Sequence, residues 1–187
     1  MPLRAAQALS LIRIAFGLYF IASAWRKTTA GWLTSGEPLT TFVGQNLQAS
    51  TPVYGQFLDS TVLPNADRFA QLVVGGEWVA GLFLTAGLLT RLGSAVGMWL
   101  TLNYMLAKGL PSFEGSQDRL FFASCFVFGV SAAGLVWGLD GALRPFMESN
   151  PALRWLAGLP SGPRMIPTRM LRPADRRVNP ARRRRIA

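Results

Sequence analysis

Four long apolar stretches dominate this chain and limit the folds open to it. They run Leu9–Trp25, Phe69–Leu89, Leu92–Ala107 and Leu120–Leu139. An α-helix needs about 17–25 such residues to cross a hydrocarbon core near 30 Å thick, and the third stretch reaches that length only with its flanks. Because backbone polar groups in lipid must be satisfied within the span, each is expected to be a helix. The sequence therefore predicts an all-α integral membrane four-helix bundle.

The low share of charged residues supports the same class. Only 15% of the 187 residues are charged, against about a quarter in soluble domains. The first stretch also has features of a signal peptide, since residues 22–24 (ASA) resemble a cleavage site. Arg13 interrupts the apolar run, so we interpret the stretch as the first membrane helix.

The segment Thr28–Arg68 is too long for a turn and has a pattern of its own. Apolar residues recur at helical spacing in Pro38–Gln48 and again in Pro52–Leu63, and Pro64 is expected to close the second run. We predict a helical extracytoplasmic cap between helices 1 and 2, lying on the outer surface of the bundle. A disordered loop is the alternative.

Metal-ligating side chains are scarce. The chain has no histidine, and its one cysteine, Cys125, lies inside the fourth apolar stretch. Such a chain cannot by itself ligate haem, copper, an iron–sulfur cluster or a usual zinc site. We therefore expect no metal and no intrinsic cofactor, with a quinone left open as a bound cofactor.

Positive charge is concentrated at the end of the chain. Residues 144–187 hold 11 arginines against Glu148 and Asp175, a net charge of +9 out of +10 for the whole chain. By the positive-inside rule, this predicts a multi-pass protein of the bacterial cytoplasmic (inner) membrane with both termini cytoplasmic. Residues 1–143 then form the transmembrane domain, and residues 144–187 form an irregular Pro/Arg-rich cytoplasmic tail.

The basic tail has two interpretations. Anionic lipid headgroups attract such a segment, and so does an acidic face of a larger complex. No nucleic-acid partner is expected, because nothing in the tail resembles a recognition motif. Interfacial or docking roles are predicted for six arginines, namely Arg13, Arg91, Arg182, Arg183, Arg184 and Arg185.

Glu77 is the best single indication of function, because it lies near the middle of an apolar helix. A carboxylate there costs about 2.5–3.5 kcal/mol on insertion scales, so it needs a cationic partner. Arg26 on helix 1 and Asn103 and Tyr104 on helix 3 are expected at a similar depth. These four residues are predicted to form a buried polar cluster. An ion pair that only fixes helix register, a quinone or small sulfur substrate site, and a contact to a partner subunit all stay open; no catalytic residue is assigned.

Several segments match a known pattern in order and spacing. They are LIRIAFGL (11–18), WRK (25–27), GE (76–77) with Gly81, GLLTR (87–91), residues 103–109, AG (133–134) and WGLD (137–140). Together they resemble the DoxX family of small four-helix membrane proteins, which includes the DoxD-type subunit of thiosulfate:quinone oxidoreductase. The resemblance covers roughly residues 5–145. It implies that Arg13, Arg26 or Lys27, Glu77 and Arg91 are the family's recurring charged positions.

The resemblance implies a bundle that works beside other subunits in sulfur- or quinone-linked redox assemblies. The first functional hypothesis is a non-catalytic accessory subunit of a bacterial electron-transfer complex, respiratory or photosynthetic, that docks through its arginine tail. The alternative is a quinone-dependent oxidoreductase subunit of thiosulfate:quinone type, with Glu77 and Arg26 at a quinone or substrate site. Whether the chain is an enzyme stays open.

Overall fold

The computed structural model describes residues 3–109, 115–131 and 133–159, and this part of the chain contains helices and no strand. The all-α class predicted from the sequence is confirmed for these residues. The four longest helices are α1 (Leu3–Thr29), α4 (Ala66–Ala86), α5 (Thr90–Lys108) and α6 (Gly115–Val130). Between the first two lie α2 (Glu37–Asn46), α3 (Pro52–Phe57), a π-helical turn (Leu58–Val62) and a 3-10 turn (Leu63–Asn65). Three short helices follow α6, namely α7 (Leu139–Ala142), α8 (Arg144–Met147) and α9 (Pro151–Leu156).

Two helical stretches in the described residues are long and apolar enough to cross a membrane, Leu3–Thr29 and Pro52–Ala86. The second is a 35-residue rod in which α3 runs through the two irregular turns directly into α4. The boundary expected at Pro64 is present as a change of helix, because the 3-10 turn ends at Asn65, whose backbone is non-helical (φ −121°, ψ 30°), and α4 begins at Ala66. Pro64 lies at the start of the 3-10 turn, where its missing N–H breaks no helical hydrogen bond.

The long helices pack in sequence order, with α1 on α4, α4 on α5, and α5 on α6. Their shared core is a cluster of buried side chains, Phe20, Ala80, Leu84, Leu100, Phe121, Cys125 and Phe128. A second apolar cluster joins α2 and the π-helical turn to the N-terminal end of α4 and the C-terminal end of α5; it contains Leu39, Val43, Leu58, Val62, Ala66, Ala70 and Ala107.

Helices α1 and α4 touch through two glycines. A Cβ placed on Gly17 would lie 2.5 Å from the backbone nitrogen of Thr85 and 3.0 Å from the carbonyl oxygen of Gly81. A Cβ on Gly81 would likewise lie 2.8 Å from the backbone nitrogen of Ile21. Small residues of this kind let membrane helices approach closely. No side chain fits at this crossing unless the backbones separate.

Gly17→Ala should therefore destabilise the protein by about 1–3 kcal/mol, the usual cost of overpacking. Gly75→Ala is the matched control on α4, because a Cβ there meets no atom within 4 Å. It should be neutral or stabilising, since alanine is the better helix former by about 0.8–1 kcal/mol. Thermal unfolding in mild detergent measures both variants. Equal melting temperatures for the two would show that the close crossing is not needed.

The fourth apolar stretch ends as a helix at Val130, so the prediction of a span reaching Leu139 is wrong. The chain runs without helix from 133 to 138. The Ser10 hydroxyl on α1 lies 3.0 Å from the carbonyl oxygen of Ala133 and 2.7 Å from that of Val136. A hydroxyl has one hydrogen to donate, so Ser10 bonds one of these carbonyls at a time and thereby ties the segment to α1.

Candidate functional site

Glu77 lies on α4 with 2% of its surface exposed, and three side chains donate hydrogen bonds to the same carboxylate oxygen, Oε1. The donors are the ammonium group of Lys27, the Tyr104 hydroxyl at 2.8 Å and the Ser23 hydroxyl at 3.1 Å. Lys27 also donates to the Tyr104 hydroxyl oxygen at 3.0 Å. We call Ser23, Lys27, Glu77 and Tyr104 the polar cluster. Its members fix one another through charge-assisted hydrogen bonds.

The predicted pair of Glu77 with Arg26 is wrong, because the partner of Glu77 is Lys27. Buried side chains on α1 recur every three or four residues, at Ser10, Arg13, Gly17, Phe20 and Ala24. Lys27 continues this face towards α4, whereas its neighbour Arg26 is exposed. Residues adjacent in a helix point about 100° apart, so only one of the two cations reaches Glu77.

The second oxygen of Glu77 has a different environment. Oε2 is buried and has no hydrogen-bond partner among the described residues. A buried acceptor without a partner costs about 1–3 kcal/mol, more when charged. The polar cluster thus holds one carboxylate oxygen firmly and leaves the other as an acceptor for a further donor.

A cavity of about 260 Å³ adjoins the polar cluster. Lys27, Glu77 and Tyr104 line it, together with an ion pair between Lys108 and Asp118 (2.9 Å). Aromatic residues and the exposed Arg26 complete the lining; they include Tyr19, Phe20, Trp32, Phe42 and Phe121. Three cations and two carboxylates therefore border one partly apolar space.

Asn103, the fourth predicted member of the polar cluster, lies elsewhere. Its side-chain oxygen accepts a hydrogen bond from the Tyr54 hydroxyl at 2.7 Å, and its amide donates to the carbonyl of Trp99 at 2.6 Å. Asn103 lines a second, mostly apolar cavity of about 170 Å³. Tyr104 lines both cavities, as do Leu39 and Phe42. Asn103 and Tyr104 therefore share the apolar cavity, and Tyr104 alone of the two also reaches the polar cluster.

Arg13 forms a separate site about 21 Å along α1 from Lys27, at 1.5 Å per residue. It is fully buried and donates to the carbonyl oxygens of Leu84 and, at 3.0 Å, Trp137. Leu84 is in the last turn of α4, where carbonyls lack helical partners and a positive charge is favourable. The predicted interfacial role of Arg13 is therefore wrong, since the buried side chain caps the C-terminal end of α4.

Asp140 lies near Arg13 and contacts the turn between α4 and α5; we call this region the Arg13–Asp140 junction. Its carboxylate accepts hydrogen bonds from the backbone nitrogens of Leu89 (2.7 Å) and Thr90 (3.0 Å) and from the Thr90 hydroxyl (2.6 Å). Burial raises the pKa of Asp140, while these hydrogen bonds and the nearby Arg13 act against that rise. The carboxylate caps the start of α5 and holds Leu89 at φ +46°, a left-handed conformation that is costly for leucine.

The remaining predicted arginines divide into two groups. Arg91, at the start of α5, donates to the carbonyl oxygens of Gly129 and Trp155, both at 3.1 Å. It therefore joins α5 to α6 and α9. Arg182, Arg183, Arg184 and Arg185 lie outside the described residues. Within the described residues, no group of three or more His, Cys, Asp or Glu side chains could hold a metal ion.

Comparison with known proteins gives one family. The family model described as DoxX matches residues 8–108, more than half of the chain. This range contains the whole polar cluster as well as Arg13 and Arg91. No solved structure matches the chain.

Proposed function

The chain belongs to the DoxX family of membrane proteins, and from that premise we propose that it is a membrane-embedded subunit of a quinone-linked electron-transfer complex. In this proposal the polar cluster binds the head group of a quinone. The redox centre belongs to a neighbouring subunit, because a chain with no histidine and one cysteine supplies few ligands for one. The observation that carries the proposal is the convergence of Lys27 and Tyr104 on one oxygen of Glu77 beside a cavity.

The chemistry of the polar cluster suits both forms of a quinone. The oxidised form offers carbonyl oxygens, for which the Lys27 ammonium is a donor beside the cavity. The Tyr104 hydroxyl, which donates to Glu77 Oε1 in this structure, becomes a second donor when it turns towards the head group. The reduced form offers hydroxyl groups, for which the unpartnered Oε2 of Glu77 is an acceptor. Reduction takes two electrons, which a partner subunit supplies, and two protons, which Lys27 and Tyr104 are placed to relay.

The apolar cavity is evidence for an amphipathic ligand. Its lining comes from α2, α3, the π-helical turn, α4 and α5 and includes Val43, Phe57, Leu58, Phe69 and Leu100. It adjoins the polar cavity, because Tyr104 lines both, and in this proposal it holds the apolar tail of the ligand. Ligand pockets of this kind are mostly apolar with a few convergent polar groups.

The membrane placement is part of the proposal. We infer that α5 and α6 cross the membrane together with α1 and α4, in a bacterial cytoplasmic membrane. The end that carries Arg13, Arg91 and residues 133–159 faces the cytoplasm, since the arginine-rich residues 144–187 follow it. The polar cluster, α2 and α3 then lie in the outer half.

Quinone binding to the purified protein in nanodiscs tests the site, with quenching of tryptophan fluorescence by a short-tailed quinone as the readout. Lys27→Gln should weaken binding about tenfold, the equivalent of one charge-assisted hydrogen bond. Arg26→Gln is the matched control and should bind nearly as well as the wild type, because Arg26 is exposed.

Tyr104→Phe keeps the ion pair and removes one donor, so it tests the same site with less risk to folding. Its control is Tyr54→Phe, which removes the hydroxyl that bonds Asn103. Binding that is lowered equally by both phenylalanine variants, or by neither, would contradict a head-group site at the polar cluster.

The accessory role rests on the charge of the tail. Residues 144–187 carry a net +9, which suits docking onto an acidic face of a larger complex. Purification from native membranes in mild detergent should yield stoichiometric partners, and truncation after Leu159 should release them. A chain that purifies alone at both lengths would rule out the tail as a docking element.

A further inference from the structure

We propose that one anionic phospholipid binds in a groove between α5, α6 and α9, with its phosphate on Arg91. The inference uses the proposed membrane placement of α5 and α6 but not the quinone site. The groove has a volume of about 480 Å³, and its lining includes Arg91, Ser94, Ala95, Met98, Phe126, Val130 and Trp155. From Arg91 to Met98 it follows α5 for roughly 10 Å, at 1.5 Å per residue.

The charged end of the groove is built around Arg91. The guanidinium uses Nε and Nη1 for the carbonyls of Gly129 and Trp155, and its carbon lies 5.6 Å from the centre of the Trp155 ring. These three contacts fix the position of the group. An arginine has five N–H donors, so three of them, including both on Nη2, have no partner among the described residues and are placed for an anion. Phosphate oxygens match a planar guanidinium well.

A second polar group lies at the base of the groove. Ser94 is 1% exposed, and its hydroxyl has no hydrogen-bond partner among the described residues. Ser94 is one turn of α5 deeper than Arg91. A phospholipid carries ester oxygens just below its phosphate, and these are acceptors for such a hydroxyl. The rest of the wall is apolar, with Phe126 and Val130 more than half exposed, as an acyl chain requires.

The depth of the groove in the membrane suits a lipid. Trp137, Phe146 and Trp155 are each at least 60% exposed and lie in the segment that follows α6. Exposed aromatic residues at the end of a bundle are typical of the membrane interface, where headgroups lie. Basic pockets between membrane helices on the cytoplasmic side favour anionic headgroups. Arg91 is thus at headgroup depth, and Met98 is at acyl-chain depth.

Native mass spectrometry of the delipidated full-length protein tests this inference, with phosphatidylglycerol and phosphatidylcholine as probes. The first phosphatidylglycerol should bind about tenfold more tightly than the first phosphatidylcholine, and Arg91→Gln should remove the difference. Arg4→Gln is the charge control, because Arg4 is exposed near the same end of the bundle. All variants keep the tail, so its diffuse lipid binding cancels.

Because Arg91 also holds α9, a second variant blocks the groove without touching that residue. Ala95 is exposed and lines the groove, so Ala95→Trp should prevent binding of the first lipid. Ala15→Trp on α1 is its control. Tyr104→Phe, which keeps the Lys27–Glu77 ion pair, should leave lipid binding unchanged, so the lipid site and the quinone site are tested separately.

Three results would overturn the inference. The first is equal lipid binding by Arg91→Gln and Arg4→Gln, or by Ala95→Trp and Ala15→Trp. The second is a dimer that Ala95→Trp dissociates, which would place a second copy in the groove. The third is tighter binding of the first lipid after truncation at Leu159, which would place the tail there.

Discussion

Lys27→Met should destabilise the protein by about 3–5 kcal/mol, the cost of leaving a buried charge without its partner. Glu77 is 2% exposed, and its remaining donors are the uncharged hydroxyls of Ser23 and Tyr104. Hydroxyl groups alone do not compensate a carboxylate in hydrocarbon. The measurement is the midpoint of thermal or denaturant unfolding in mild detergent. Arg26→Met should change that midpoint little, because Arg26 is exposed.

A charge-free variant separates the stability of the pair from its function. The variant combines Lys27→Met, Glu77→Leu and Tyr104→Phe, so neither a buried charge nor the Tyr104 hydroxyl remains. Apolar residues of similar volume often replace a buried ion pair at no cost in stability. We expect its unfolding midpoint to return close to that of the wild type. A midpoint as low as that of Lys27→Met alone would show that the pair itself stabilises the bundle.

Arg13→Met is expected to have the second-largest effect, a loss of about 2–5 kcal/mol. The substitution leaves the carbonyl oxygens of Leu84 and Trp137 without their donor, and each buried unsatisfied group costs about 1–3 kcal/mol. It also removes the positive charge at the end of α4. Arg4→Met on the same helix is the control. Hydrogen exchange should rise in residues 133–138, the segment that Arg13 helps to hold.

Arg13→Lys should recover part of this loss. A lysine carries the charge, but its single ammonium group lacks the planar fork that reaches two carbonyls at once. An Arg13→Met protein as stable as Arg4→Met would return Arg13 to the interfacial role predicted from the sequence.

The helical architecture and the burial of Glu77 against a cationic partner could be predicted because each depends on local pattern. Apolar length predicts a helix wherever it falls, and a lone carboxylate in an apolar run needs a partner whatever the fold. The structure places Tyr104 against Glu77, since α4 and α5 pack side by side. Depth in the membrane predicts Asn103 in the same cluster. Asn103 instead lies against Tyr54, because depth does not specify which face of α5 a residue occupies.

The helical spacing of residues on α1 distinguishes Lys27 from Arg26 as the partner of Glu77. Counting from Gly17 and Phe20, the face of α1 that packs on α4 reaches Lys27 at helical spacing and misses Arg26. That periodicity was readable from the small residues of α1. Arg26, the predicted partner of Glu77, does not lie on this face.

The Arg13–Asp140 junction could not have been read from the sequence. It joins the start of α1 to a turn between α4 and α5 and to residues about 125 positions later in the chain. No local pattern specifies such contacts, and an arginine near a helix end is usually an interfacial residue. The contacts of Ser10 and Arg13 with the segment that follows α6 are equally distant in sequence.

Quinone titration of the charge-free variant tests the central claim most directly, since that variant keeps the bundle and removes the polar cluster. The account predicts a protein with near wild-type unfolding midpoint whose quinone affinity is lowered by about tenfold or more. Wild-type quinone affinity in the folded charge-free variant would contradict the account. It would mean that the polar cluster only fixes the register of the helices.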